Sequence, residues 1–175
     1  MKKIMVIGVS AGVGKSTLAK KMADELKIDV YHLDQLYWRA GWVEAPFEEF
    51  SEAQAKIVNR ESWIIEGNYT STFRIRSDKA DTIVYIEHPI YVCFYRVVKR
   101  WLTNLGKTRQ DMAEGCSEKL DWQFIKFIAT TYYPRKKAMA KRLEAFKNAG
   151  KRVYILSSKE QVNNFIQSLN KQTVH

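Results

Sequence analysis

The run Gly8-Val9-Ser10-Ala11-Gly12-Val13-Gly14-Lys15-Ser16-Thr17 combines glycines, one lysine and adjacent hydroxyl residues in ten positions. Gly12 and Gly14 can take positive φ and let backbone N–H groups approach phosphate oxygens. A helix starting at this point adds unpaired N–H donors and a partial positive charge. Lys15 can reach the β- and γ-phosphates of a nucleoside triphosphate, and the Ser16 hydroxyl can ligate Mg²⁺. The tail Gly14-Lys15-Ser16-Thr17 fits the phosphate-loop pattern. The leading glycine of that pattern falls on Val9, with Gly8 one residue early, so the match is imperfect. The setting supports it, with an apolar run before and a helical pattern after. The expected ligand is ATP with Mg²⁺, held by residues 10–17.

Two acids stand where a partner for that loop belongs. Asp34 follows the apolar run 30–33, and Glu66 follows 63–65 and precedes Gly67. Glu66 is the candidate carboxylate beside Mg²⁺, with Ser16 the other metal contact. Asp34 is a candidate base or acceptor-orienting group, or a second Mg²⁺ contact; a helix cap for Gln35 onward is the plainer alternative. Tyr37, Trp38 and Trp42 follow Asp34 and offer flat faces to an acceptor, or simply packing. Gly67, Asn68, Tyr69, Arg74 and Arg76 can bind an acceptor phosphate or hydroxyl, although the arginine pair reads equally as a solvated face. Arg96 and Arg100 lie four apart, on one side of a helix, with Arg109 in the loop beyond. Phosphoryl transfer needs cations on the moving group and a cover that excludes water, and these three arginines suit both.

The elements that must position these groups follow from periodicity. Short apolar runs at 3–7, 30–33, 63–65, 82–86 and 152–156 read as strands. Helical spacing covers 16–26, 46–59, 90–105, 120–131, 134–148 and 161–169. Pro134 separates the fourth and fifth of these helices, and Gly150 ends the fifth. Strands alternating with helices mean crossover units, a parallel sheet covered on both faces, and an α/β fold. Ligands then gather at the C-terminal ends of the strands, where the loop and both acids fall. The sixteen or so residues between 105 and 121 are irregular, and a stretch of that length is a functional loop or a disordered one.

Composition narrows the class. With 175 residues and 46% hydrophobic content the chain is long enough for a buried core and reads as one domain, 1–175. Its apolar runs are too short to span a bilayer. The opening Met1–Ile7 is a first strand rather than a leader, because it enters the glycine loop without a small-residue cleavage site. Cys93 and Cys116 have no metal-ligand spacing and read as reduced thiols in a cytoplasmic protein. The formal charge is +10, and residues 91–152 hold 15 Lys/Arg against 5 Asp/Glu, which is the whole excess. Such a block suits nucleotide phosphates, a nucleic-acid backbone, or a set of solvated helix faces.

The glycine loop, Ile64-Ile65-Glu66-Gly67, and Arg96/Arg100 followed by Gly106-Lys107-Thr108-Arg109-Gln110-Asp111 resemble the adenylate-kinase-like P-loop kinases. His32-Leu33-Asp34 with Tyr37-Trp38, Trp63 through Tyr69, Ala80-Asp81-Thr82-Ile83 and the 91–101 helix are more similar to the bacterial FlaR-type "topology modulation" proteins. The resemblance runs from Ile4 to about Phe165. It implies a three-layer α/β/α sandwich with five parallel strands in the order 2-3-1-4-5. It also implies a helical lid at about 104–120, with Arg96, Arg100 and Arg109 matching the family's lid arginines, and adenine near Ser157-Ser158-Lys159. The family's commoner Asp is here Glu66. The expected function is transfer of the ATP γ-phosphate to a nucleotide or other small-molecule acceptor. The alternatives are an ATP-gated DNA-binding protein and an NTP-binding regulator without transfer chemistry.

Overall fold

The computed structural model describes residues 1–173 other than 105, 107, 110 and 118, with the side chains of 171–173 outside the description. Strand β1, Lys3–Gly8, is central, and all but its first residue are buried. It pairs in parallel with β5, Trp63–Glu66, on one side and with β6, Thr82–Ile86, on the other. Both neighbours are buried along their whole length. That is why all three read as unbroken apolar runs instead of alternating ones. The edges are β2, Val30–His32, beside β5, and β7, Arg152–Leu156, beside β6. The order β2-β5-β1-β6-β7 is the expected 2-3-1-4-5 once strands are counted along the sheet-forming runs.

Side chains alternate across the sheet and so assign the layers. Tyr154 meets Phe165 of α7, Lys159–Thr173, with ring centroids 4.8 Å apart. Helix α1, Lys15–Leu26, packs on α7 and buries Leu18, Ala19 and Met22. The opposite layer holds α4, Phe73–Lys79, and α6, Trp122–Asn148, joined by Phe73 and Phe146 stacked at 6.1 Å. At the N-terminal ends of the strands Asp81 accepts from the backbone N–H groups of Lys2 and Lys3 at 2.8 and 2.9 Å and pairs with Arg152 at 3.1 Å. One carboxylate thus joins the starts of three strands.

Three expectations change. The two helices expected around Pro134 are one, α6. Proline removes one N–H from the ladder, but Ile128 and Tyr132 before it and Met139 and Leu143 after it are all buried, so packing on both sides carries the axis through. The segment after β2 is more elaborate than a connection. It forms a short helix α2, Leu33–Tyr37, and an antiparallel hairpin of β3, Trp38–Arg39, and β4, Val43–Glu44, before α3, Phe47–Val58. The helix expected to 105 is α5, Ile90–Thr103. In the stretch beyond it, Thr108 and Ser117 form an antiparallel bridge, while Lys107 and Gln110 lie outside the described residues.

Asp121 starts α6 by accepting from the Phe124 N–H at 2.7 Å. Its far end closes with Gly150 at φ 77° and bonds from Gly150 N to Lys147 O and Lys151 N to Phe146 O. Among the described residues no helix is long and apolar enough to cross a membrane.

Candidate active site

The phosphate loop lies between the end of β1 and the start of α1. Gly12 and Gly14 supply the left-handed turns, with φ 73° and 104°. Val9 is fully buried and its N–H donates to Ile86 O at 3.1 Å, so the position that carries glycine in the usual pattern is here a core residue. The close approach is moved to Gly8, where a Cβ would lie 2.6 Å from Val13 Cγ1 and 3.0 Å from Lys15 Cγ. Gly12 faces α5 at contact distance, since a Cβ there would meet Cys93 O at 2.4 Å. Ser10 is fully buried and its Oγ has no hydrogen-bond partner. An orphaned hydroxyl at this point fits a loop built to meet another acceptor or donor.

Four side chains converge at the loop's inner edge. Glu66, 4% exposed at the end of β5, accepts from Ser16 Oγ at 3.1 Å. His32 Nδ1 lies 3.0 Å from the same carboxylate oxygen, and Lys15 Nζ lies 3.9 Å from the other. Lys15 also donates to Ser10 O at 3.4 Å. Among the described residues no three His, Cys, Asp or Glu side chains form a metal cage. Mg²⁺ held between a triphosphate and one or two side chains needs none, and the hard oxygens of Ser16 and Glu66 fit that role.

Asp34 sits in the first turn of α2 rather than capping it, and Tyr69 Oη donates to its Oδ1 at 2.6 Å. Burial pushes the Asp34 carboxyl above its ordinary range, and the Glu66 charge adds to this. The Tyr69 hydroxyl and the cations Lys15 and Arg109 oppose it. Tyr69 itself is raised by burial and by Asp34, so it stays a donor. Around this pair lie Tyr37, 4.7 Å from the Tyr69 ring, Phe50 at 5.0 Å, and Trp38 edge-on to Tyr37 at 4.9 Å. Trp38 in turn meets Trp42 at 5.4 Å.

The arginines divide by location. Arg96 Nη1 donates to Val13 O at 2.9 Å, which joins α5 to the phosphate loop. Arg100 is one turn further along α5, and Arg109 pairs with Asp111 at 2.9 Å while acting on Asp34 through space. Arg76 is fully buried and donates to three carbonyls, Gly67 O at 3.0 Å, Asn68 O at 3.4 Å and Tyr69 O at 2.9 Å. Burial pushes its guanidinium down to about 9. Arg74, by contrast, has its side chain 92% exposed, with Asp78 at 4.0 Å.

Other expected contacts are already engaged within the protein. Asn68 Oδ1 accepts from Gly8 N at 3.0 Å. Gly67, at φ 142°, gives its N–H to Val6 O at 3.2 Å and abuts Leu33, which a Cβ would approach to 2.8 Å. Ser158 caps α7 by accepting from Gln161 N at 3.1 Å. Ala11 and Thr17 flank the loop, half-buried and exposed respectively.

Two features were not read from the sequence. One is His32, whose position two residues before Asp34 on an apolar run was the available signal. The other is a latch between the β3–β4 hairpin and the segment before α6. Gly41 N donates to Gly115 O at 3.2 Å, Trp42 Nε1 to Ser117 O at 3.1 Å, and Cys116 Sγ to Arg39 O at 3.1 Å. Lys119 Nζ stands 5.2 Å from the Trp42 ring centroid.

No family profile and no curated protein sequence matches the chain. In fold it is similar to the shikimate kinase from Acinetobacter baumannii, at 12% identity over 99% of this chain and 93% of that one, with a TM-score of 0.54. It is similar as well to a gluconokinase from Sinorhizobium meliloti 1021, at 12% identity over 99% and 95% with a TM-score of 0.53. A sugar kinase from Janibacter sp. HTCC2649 matches at 11% identity over 99% and 92% with a TM-score of 0.51. The chain therefore has the α/β fold of the P-loop kinases.

Proposed function

We propose that the protein is a kinase that transfers the γ-phosphoryl group of MgATP to a hydroxyl of a small molecule or nucleotide. The observation that carries this reading is the convergence of Lys15, Ser16 and Glu66 at the phosphate loop with Asp34 and Tyr69 beside them. The loop amides and Lys15 bind the triphosphate, while Ser16 and Glu66 hold Mg²⁺. Bound Mg²⁺ supplies charge neutralisation on the phosphates. Asp34 accepts the proton of the acceptor hydroxyl as its oxygen bonds to phosphorus and the bond to ADP breaks. A carboxyl raised by burial is nearer the operating pH and a better base than an ordinary one. Tyr69 fixes the orientation of Asp34. Arg100 and Arg109 carry cationic charge toward the moving group, and Arg96 holds the loop in shape.

The test is ATP binding and acceptor-dependent ADP release by the wild type and by Lys15→Ala. The variant is expected to keep its circular dichroism spectrum and lose turnover by about 10³-fold, the scale of removing one transition-state charge contact. Turnover equal to wild type removes the reading.

The likeness to FlaR-type proteins keeps DNA binding as the alternative. Much of the 91–152 charge has intramolecular work. Arg142 lies over Phe73, Arg135 over Phe127, Lys136 pairs with Glu87, and Lys151 donates to Ala80 O. Binding of duplex DNA that weakens steeply with salt is the result that favours this alternative.

A further inference from the structure

We infer that the acceptor is a small hydroxyl compound bearing no phosphate or carboxylate, and hence uncharged or cationic. The inference rests on the kinase reading and narrows it. An anionic acceptor in a desolvated cleft needs a guanidinium or ammonium directed at it, because like charges nearby oppose its entry.

Around the acceptor end, Arg39, Arg74, Arg76 and Lys119 are engaged away from an acceptor, while Arg100 and Arg109 are assigned to the moving phosphoryl group. Arg39 pairs with Glu49 on the surface. Arg74 projects into solvent beside Asp78. Arg76 is buried beneath the 67–69 loop with its donors on three carbonyls. Lys119 lies against the outer Trp42 ring. Arg109 does reach the field of Asp34, but Asp111 balances it at 2.9 Å. Lys15 belongs to the phosphate loop.

Among the described residues, those nearest Asp34 besides Lys15 and the Asp111-paired Arg109 are carboxylates and rings. Asp34 stands under Tyr69, and Glu44 hydrogen-bonds the Tyr37 hydroxyl and raises its pKa after burial has done so. Tyr37, Trp38 and Tyr69 form a connected aromatic wall. Aromatic faces beside carboxylates suit the C–H surface of a polyol ring or an ammonium group, and they repel a phosphate. Asp34 then has one task, taking the proton of the hydroxyl.

The test uses the full chain with MgATP and acceptor pairs that differ by one phosphate and keep free hydroxyls: adenosine and AMP, ribose and ribose 5-phosphate, glucosamine and glucosamine 6-phosphate. Product is identified by mass spectrometry. The expected result is that the member without the phosphate is the better acceptor, by at least about tenfold in kcat/KM, in each pair that reacts. Trp38→Ala is expected to raise KM for that member and leave KM for ATP unchanged. Which pair reacts separates an uncharged acceptor from a cationic one. Preference for the phosphorylated member overturns the inference while the kinase reading stands. So does a protein that binds ATP through Lys15, yet neither phosphorylates any phosphate-free member nor gains thermal stability from one beside an unhydrolysable ATP analogue. Failure to bind ATP removes the kinase reading, and this inference with it.

Discussion

The two ends of the proposed site are built differently. The donor end is local: nine residues from Gly8 to Ser16 make the loop, and its neighbours are strand ends fixed by sheet register. Its interior is buried, and Gly8 and Gly12 sit where a single Cβ would collide with Val13 or Cys93. The proposed acceptor end is assembled from distant pieces. Asp34 and Tyr69 are 35 residues apart, and Trp42 and Ser117 are 75 apart. A site written in consecutive residues fixes its own shape. One written across the chain depends on what holds the pieces, and here that is Arg76, the aromatic wall and the latch.

The contrast can be broken by substitution. The largest effect is expected from Asp34→Asn, which removes the base and should lower kcat by about 10²–10⁴-fold. The same change should raise stability at neutral pH, because Asp34's pKa is raised in the fold by burial. The stabilising influence of this group is present at low pH and lost as pH rises through its folded pKa; Asn does not suffer that loss. Melting curves across pH for both proteins check the sign. In the wild type, the acid limb of kcat/KM should lie above the ordinary aspartate range.

Next comes Arg76→Ala. It leaves three buried carbonyls without their donor and should destabilise by about 3–5 kcal/mol in urea unfolding. Arg74→Ala, two residues away and exposed, should change stability by less than about 0.5 kcal/mol. Equal losses would mean that the acceptor loop is not held by Arg76. Gly12→Ala should cost about 2–3 kcal/mol, from backbone strain and displacement of α5, with weaker ATP binding in calorimetry. The smallest effect is expected from Trp42→Ala. Losing the Ser117 bond and the Lys119 contact should cost about 1 kcal/mol and raise acceptor KM several-fold, with ATP binding unaltered.

Legibility in the sequence follows the same division. The five strands and the loop with Glu66 were readable, because buried parallel strands give continuous apolar runs and the loop is a local pattern; the strand order came only from the resemblance to the adenylate-kinase-like kinases. Pro134 misled, since a local breaking signal was outweighed by buried residues on either side of it. The β3–β4 hairpin was missed because each strand is two residues long, too short for any period. Arg74 and Arg76 look alike in sequence. Only the α4 axis decides that one faces water and the other the underside of the 67–69 loop. Ser158 was assigned to the nucleotide by resemblance, and the structure adds that its hydroxyl caps α7 by accepting from Gln161 N.

Asn68 gives the arrangement a final property. Its side chain bonds Gly8 N, and the adjacent Gly67 N bonds Val6 O, so the stretch that follows β5 is fastened to the strand that delivers the phosphate loop. The spacing between the phosphate loop and the 67–69 loop is thus a gauge set by the sheet. The β3–β4 hairpin, Trp38 to Glu44, lies outside that gauge. Under the kinase reading, a different hairpin grafted at 38–44, with Asp34 left in place, is expected to change which acceptor is taken without changing the reach of the transfer.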